Sequence, residues 1–274
     1  MVALEDFSSP HPIVRIFDSG GKLTSVIPVT IPESDWIGVR GAAHGLNGVT
    51  AICGYAKDRN AHAAGFIALA LNSNDGTLQR VIRTEPYWPS AVTIAPDGSI
   101  WTKGAEFEGF KQTYSKTDNG ILRHFDPSGR VIGSFLPQST LSRGEMFRGI
   151  DQMASNARRV GWYVGRGAKA YFEVVKDRLE TYPPLAQDES RHEQISGLAI
   201  TGDGHVFITK SDGSASRLYV LNRESRTWDP VVPPEGGSPP ATGWLMGGSG
   251  NNIVLRTTEP SRLRRFAVGK GDAR

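Results

Sequence analysis

Sulfur chemistry is nearly absent from this sequence. Cys53 is the single cysteine in 274 residues, which excludes an internal disulfide framework and a cysteine-based metal site. It lies in the apolar run Val49-Thr50-Ala51-Ile52-Cys53 and reads as a buried, inert thiol. No run reaches the ~18 apolar residues of a membrane span. The start of the chain has neither the basic segment nor the apolar stretch of a secretion signal. A strong charge is missing too. The net +3 lacks the concentrated basic stripe that nucleic acid demands, so a nucleic-acid partner is not expected. The basic stretch from Arg256 to Arg274 reads as a solvated edge ending in a frayed tail over 269–274. Helical periodicity is also wanting. The nearest candidate, Arg148 to Arg158, runs at once into the strand-like Gly161-Trp162-Tyr163-Val164.

What is present is a repeat. Ser90-Ala91-Val92-Thr93-Ile94-Ala95-Pro96-Asp97-Gly98-Ser99-Ile100-Trp101 returns as Ser196-Gly197-Leu198-Ala199-Ile200-Thr201-Gly202-Asp203-Gly204-His205-Val206-Phe207. Ile13-Val14-Arg15-Ile16-Phe17-Asp18 returns as Ile121-Leu122-Arg123-His124-Phe125-Asp126. Each pair lies two periods of about 53 residues apart, in the range of a propeller blade. Gly 32 and Pro 17 suit many short strands and turns. Each unit reads as two hairpins, one turning at Asp97-Gly98 or Asp203-Gly204, where the turn needs positive φ, and one at Asp18 to Gly21 or Asp126 to Gly129. The four strands of a unit are named A to D here.

Strand C begins near Ile13, Phe66, Ile121, Ala170, Leu218 and Leu263. Six copies imply a six-bladed β-propeller of four-stranded antiparallel blades, a single domain over 1–274. In this register strand A of the first blade and strand D of the last are missing, and Val2-Ala3-Leu4-Glu5 fits the end of a strand B. Met1 is therefore expected to be an internal start, with ~30–60 residues upstream and an export signal among them. The tight A–B and C–D turns share one face. The long B–C and D–A connections (Lys103 to Gly120, Leu136 to Phe147, Tyr182 to Gln194, Val232 to Thr242) share the other, where binding is expected.

The recurring Gly/Ser-x-apolar-x-apolar-x-x-Asp-Gly-x-apolar-aromatic pattern, followed by apolar-x-x-Phe-Asp-x-x-Gly, resembles the six-bladed propellers of the NHL-repeat and gluconolactonase-like superfamily over residues 2 to 268. The resemblance implies an exported bacterial protein. Gluconolactonase-like members hold a divalent cation with Glu, Asn and Asp at inner-strand ends. The matching positions here are Ser90 and Ser196, and Asp151 is the single carboxylate near an inner strand. Two serines and one carboxylate suit a hard cation poorly, since it takes ~6 oxygens. No metal or other cofactor is expected. The Asp-x-x-Asn-x-Arg run of NHL members is replaced by Lys103-Gly104-Ala105-Glu106-Phe107, which removes that family's mode of RNA or partner recognition.

Other motifs carry less. Gly165-Arg166-Gly167-Ala168-Lys169-Ala170 imitates a dinucleotide fingerprint, but a strand follows it where a helix is needed. Gly247-Gly248-Ser249-Gly250 lacks the strand-to-helix context of a nucleophile elbow. No two of the six histidines have ligand spacing on one element. His124 and His205 occupy repeat positions held elsewhere by Ile16 and Ser99. His44, in Arg40-Gly41-Ala42-Ala43-His44, is placed near the start of an inner strand. Trp88 and Trp244 flank D–A loops. The ligand-binding candidates at the channel mouth are Arg40, His44, Trp88, Ser90, Arg148, Asp151, Gln194, Ser196 and Trp244, with no catalytic residue assigned. The expected protein is a monomeric, non-enzymatic module that binds a small molecule or protein on its long-loop face. A lactonase-type hydrolase, with or without a metal, is the alternative.

Overall fold

The computed structural model describes residues 2–5, 8–18, 22–45, 48–60, 62–71, 77–108, 113–114, 119–140, 153–156, 158–164, 170–186, 193–211, 216–232, 243–249, 251–258 and 261–268. Strands dominate them, and the helical content is one turn of 3-10 helix at Gln138–Thr140. The chain divides into two compact units, Met1–Leu141 and Ser142–Arg274.

In the first unit, β1 (Val2–Glu5), β3 (Ile13–Phe17) and β4 (Leu23–Pro28) form a three-stranded sheet in that order. The two-residue β2 (Ser8–Ser9) instead joins the edge of the next sheet, ordered β2, β5 (Trp36–His44), β6 (Val49–Lys57), β7 (Ala63–Leu71) and β8 (Leu78–Arg83). The third sheet is β9 (Tyr87–Ile94), β10 (Ile100–Glu108), β12 (Gly120–Phe125) and β13 (Val131–Pro137). The short β11 (Thr113–Tyr114) folds back on the far end of β10. In the second unit, β14 (Met153–Ser155), β15 (Arg159–Val164), β16 (Ala170–Val175) and β17 (Arg178–Tyr182) form one four-stranded sheet. β18 (Gln194–Ile200), β19 (Val206–Ser211), β20 (Ser216–Asn222) and β21 (Thr227–Pro230) form another. β22 (Gly243–Ser249), β23 (Asn252–Thr258) and β24 (Ser261–Ala267) form a three-stranded sheet. All pairings within these sheets are antiparallel. Among the described residues the first sheet lacks a strand A and the last a strand D, as the repeat register predicts.

Strand alternation explains how the sheets stack. On β6, Ile52 and Ala56 pack toward Val14, Ile16 and Ile27 of the first sheet. Ala51 and Cys53, on either side of Ile52, pack toward Tyr87, Val92 and Ile100 of the third. Successive side chains point to opposite faces, so a strand buried on both sides reads as a continuous apolar run. In the second unit β19 does the same: Val206 and Ile208 join a cluster with Tyr163 and Tyr171, and Phe207 joins one with Ile253 and Leu255. Each of these four clusters of described residues is thus shared between sheets consecutive in the chain.

The hairpin turns follow the Asp-Gly signals. At Ala95 to Ser99 the Ala95 N–H donates to Ser99 O (2.9 Å) and the Gly98 N–H to Ala95 O (2.9 Å). The pattern recurs at Thr201 to His205 and Asp126 to Arg130. In these three turns the glycine takes the positive φ: Gly98 at 84°, Gly129 at 93° and Gly204 at 99°, whereas the β16–β17 turn puts it on Lys176 (47°) and Asp177 (60°).

One expected loop begins as strand. The B–C connection predicted from Lys103 begins only after Glu108, because β10 runs on through Lys103-Gly104-Ala105-Glu106-Phe107-Glu108. A buried carboxylate would ordinarily end a strand at Glu106. Here it accepts hydrogen bonds from Asn119 Nδ2 and Arg123 Nη2, so its charge is matched and the ladder continues.

Candidate functional site

Four inner strands carry the same irregularity. On β5 the ladder passes from Val39 to Gly41 and leaves Arg40 outside it. On β9 it steps from Pro89 to Ala91 and omits Ser90. On β18 it steps from Ile195 to Gly197, omitting Ser196, and on β22 from Leu245 to Gly247, omitting Met246. A bulge re-aims the extra residue and bends the strand. In the first unit the bulges of β5 and β9 abut. A Cβ on Gly41 would lie 3.2 Å from Ala91 Cα and 3.5 Å from Ser90 O, so a small residue is needed where the two strands meet. In the second unit β18 packs against both β14 and β22.

An aromatic row runs from the Arg40 bulge along the ends of β5, β6, β9 and β10, at the long-loop side of the first unit. Trp36 opens β5, Tyr55 is near the end of β6, Trp88 near the start of β9, and Phe107 near the end of β10. Trp36 and Tyr55 rings are 5.2 Å apart and tilted by 44°. Tyr55 and Trp88 stack at 5.0 Å and 9°. Trp88 meets Phe107 at 4.8 Å and 48°. Each such contact contributes ~0.5–1.5 kcal/mol beyond area burial. Trp36, Tyr55 and Trp88 are partly exposed, and Phe107 is buried beneath them. Register and a missing side chain position the outer pair. Tyr55 stands opposite Gly38, and a Cβ on Gly38 would come within 2.8 Å of the Trp36 ring and 3.0 Å of Tyr55.

Two cations lie over the row. The exposed Arg40 guanidinium is 5.2 Å from the Tyr55 ring centroid, and its Nη2 donates to Tyr55 Oη at 3.3 Å. Lys57, the cross-strand partner of Trp36, puts Nζ 5.0 Å from the Trp36 ring and 5.9 Å from Tyr55.

The floor beneath the row is polar and tightly bonded. The Glu106 N–H donates to Gln138 Oε1 at 2.7 Å, and the Phe107 N–H donates to Pro86 O at 3.1 Å. Arg123, paired with Glu106, lies 4.1 Å over the Tyr87 ring. The buried Tyr87 hydroxyl donates to Ile121 O at 2.9 Å and meets Thr102 Oγ1 at 3.0 Å. Lys103 is buried, and desolvation pushes its ammonium down to about 7.

The second unit holds a buried ion cluster. Glu173, fully buried, accepts from Arg159 Nη1 (3.3 Å), Arg223 Nε (3.2 Å), Arg223 Nη2 (3.0 Å) and Tyr171 Oη (3.0 Å). Arg223 also donates to Gly204 O at 2.9 Å. The cluster ties β16 to the turns of the following sheet at their tight-turn side, which is a structural use of charge.

The sequence-predicted residues divide accordingly. Arg40 and Trp88 come together through Tyr55. Ser90 is a bulge residue whose hydroxyl donates to Lys103 O at 3.3 Å. His44 is not with them. β5 begins at Trp36, because Trp36-Ile37-Gly38-Val39 extends the paired run, so His44 closes the strand at its other end, about 26 Å from Trp36 and about 13 Å from Arg40. There its Nδ1 contacts Thr50 Oγ1 at 3.3 Å, and burial lowers its pKa. Gln194, Ser196 and Trp244 are described in backbone alone: Gln194 pairs with Ser211, Ser196 is the β18 bulge, and Trp244 pairs with Arg256. Arg148 and Asp151 lie outside the described residues. Sequence reading missed Trp36, Tyr55 and Lys57. The available signal was an aromatic or cation at the outer end of each of two paired strands.

No family model and no curated protein matches the sequence. Among solved structures, a catalytically inactive virginiamycin B lyase from Staphylococcus aureus with quinupristin is similar at 12% identity and a TM-score of 0.53, over 97% of this chain and 80% of that one. The periplasmic gluconolactonase of Pseudomonas aeruginosa is similar at 15% identity and a TM-score of 0.51, over 94% of this chain and 73% of the other. At such identities the likeness concerns fold alone: the chain is an all-β protein with the β-propeller fold.

Proposed function

We propose that residues 1–274 are a single six-bladed propeller domain of the NHL-repeat and gluconolactonase-like superfamily, monomeric, whose activity is binding. The ligand is an organic molecule seated on the long-loop side at the Trp36–Tyr55–Trp88 row. The observation that carries the reading is this row of partly exposed rings with Arg40 and Lys57 over it. Large aromatics left accessible at the rim of a rigid scaffold give contact area at little entropic cost. The network around Glu106 holds the floor in place before any ligand arrives.

A thermal-shift screen of small organic molecules on the wild type and Trp88→Ala tests the reading. Compounds that bind the row raise the wild-type melting temperature by mass action and lose that effect in the variant. Compounds that stabilise both proteins equally would place binding elsewhere. Hydrolysis of a lactone by the wild type, abolished in Asp151→Asn, would replace the binding reading with the lactonase-type alternative. A row that responds only to a protein partner would move the ligand class from small molecule to polypeptide.

A further inference from the structure

We propose that the ligand of the aromatic row is an organic anion with a planar body, its acidic group held between Arg40 and Lys57. This rests on the row being the binding site, and it adds the chemical class of what binds.

Among the described residues, neither Arg40 nor Lys57 meets a carboxylate at ion-pair distance; their contacts are with π faces and one phenol oxygen. Other cations of the chain do meet one: Arg59 with Asp35, Arg123 with Glu106, Arg130 with Asp126, Arg159 with Glu173 and Lys210 with Glu193. The acids nearest in sequence are engaged elsewhere. Asp35, next to Trp36, faces Arg59 at 3.5 Å. Asp58, next to Lys57, accepts from the Asn60 and His62 N–H groups at 2.9 and 2.8 Å. Two positive charges therefore converge on Tyr55 with no negative charge of the described chain matching them.

Backbone geometry keeps Arg40 there. As the bulge residue it is turned out of the ladder, and it remains exposed. One of its five N–H donors is used, on Tyr55 Oη; the rest of the fork is matched to a carboxylate, sulfonate or phosphate. A guanidinium resting on a ring face is weakly hydrated and gives up little water on pairing. Lys57 over Trp36 supplies the second charge. The ring planes select the rest of the ligand. Tyr55 and Trp88 are near parallel at 9°, so a flat ring or conjugated acid can align with them. A compact inorganic anion would use the cations and leave the rings idle.

The test is calorimetric titration with three probes of one shape: 2-naphthoate, neutral 2-naphthamide and the cation 2-naphthylmethylammonium. The expected order is naphthoate tighter than naphthamide by about tenfold, with the ammonium weakest. The preference should shrink between about 50 mM and about 300 mM salt, since the cations are at least partly exposed. Arg40→Met with Lys57→Met should abolish the preference, so that naphthoate and naphthamide bind with equal affinity. Arg40→Lys alone should lose part of the preference, because the fork is gone and the charge is kept. Circular dichroism and the melting temperature report whether each variant is folded. Equal affinity for naphthoate and naphthamide, or a preference that survives the double substitution, overturns the anion inference and leaves the row as a binding site. If Trp88→Ala changes the binding of none of the three probes, the row itself is not the site.

Discussion

Glu173→Gln is the most exposing perturbation of the second unit. The substitution keeps the side chain's size and removes its charge. The carboxylate is completely buried and receives four hydrogen bonds, three from guanidinium groups and one from Tyr171. The amide would turn NH₂ toward donors and leave two arginines without a counter-charge. Their side chains are 17% and 30% exposed. Removing one partner of a buried ion pair costs ~3–5 kcal/mol. Water reaching Arg223 places this case near the low end, at about 3 kcal/mol, which corresponds to roughly a 6–10 °C fall in melting temperature for a chain of this size. Urea unfolding followed by circular dichroism should show a lower midpoint with an unchanged slope. Glu173→Gln combined with Arg223→Met should cost less than the sum of the single changes, because the groups share one network. A loss under about 1 kcal/mol, or strict additivity, would refute the view that this cluster holds β16 to the next sheet.

Two further predictions follow from buried titratable groups. Burial lowers the Lys103 ammonium from 10.5 to about 7, so the unfolded chain binds more protons between these values and wild-type stability rises with pH across that window. Lys103→Met removes the penalty. The variant should be more stable than wild type by on the order of 3 kcal/mol at pH 6, with the gap fading toward pH 10; a pH-independent gap in denaturant melts would contradict this. Burial pushes the Cys53 thiol far above its ordinary value, so the native chain should resist iodoacetamide and label only at the rate of unfolding. Rapid native labelling, read by mass spectrometry, would show that the seam between the second and third sheets opens.

The regular part of the architecture was legible in the residues. Strand C starts within three residues of each predicted position, and the glycines of the Asp-Gly turns carry the positive φ. Such features depend on local sequence. Bulges do not announce themselves, because the residue left out of a ladder is set by pairing with a strand elsewhere in the chain. Arg40, Ser90 and Ser196 were singled out as positions and not as bulges. The start of β5 was misplaced by four residues, and His44 went to the wrong end of the strand with it. The row escaped for another reason: Trp36, Tyr55, Trp88 and Phe107 are separated in sequence and meet only where β5 and β6 pack on β9 and β10. Lys103 and Glu106 looked like loop residues, since the Asn119 and Arg123 groups that match the Glu106 charge lie away from it in sequence, and no local pattern displays that Lys103 is buried at a desolvation cost.

The central claim is that ligand binding occurs at the Trp36–Tyr55–Trp88 row. Aromatic ¹H–¹³C NMR spectra of protein labelled at tryptophan and tyrosine, recorded with and without 2-naphthoate, test it most directly. The account predicts shifts concentrated on Trp36, Tyr55 and Trp88, assigned by single substitutions, with Tyr171 and Tyr182 of the second unit unmoved. Saturating binding that leaves those three rings unshifted would contradict it.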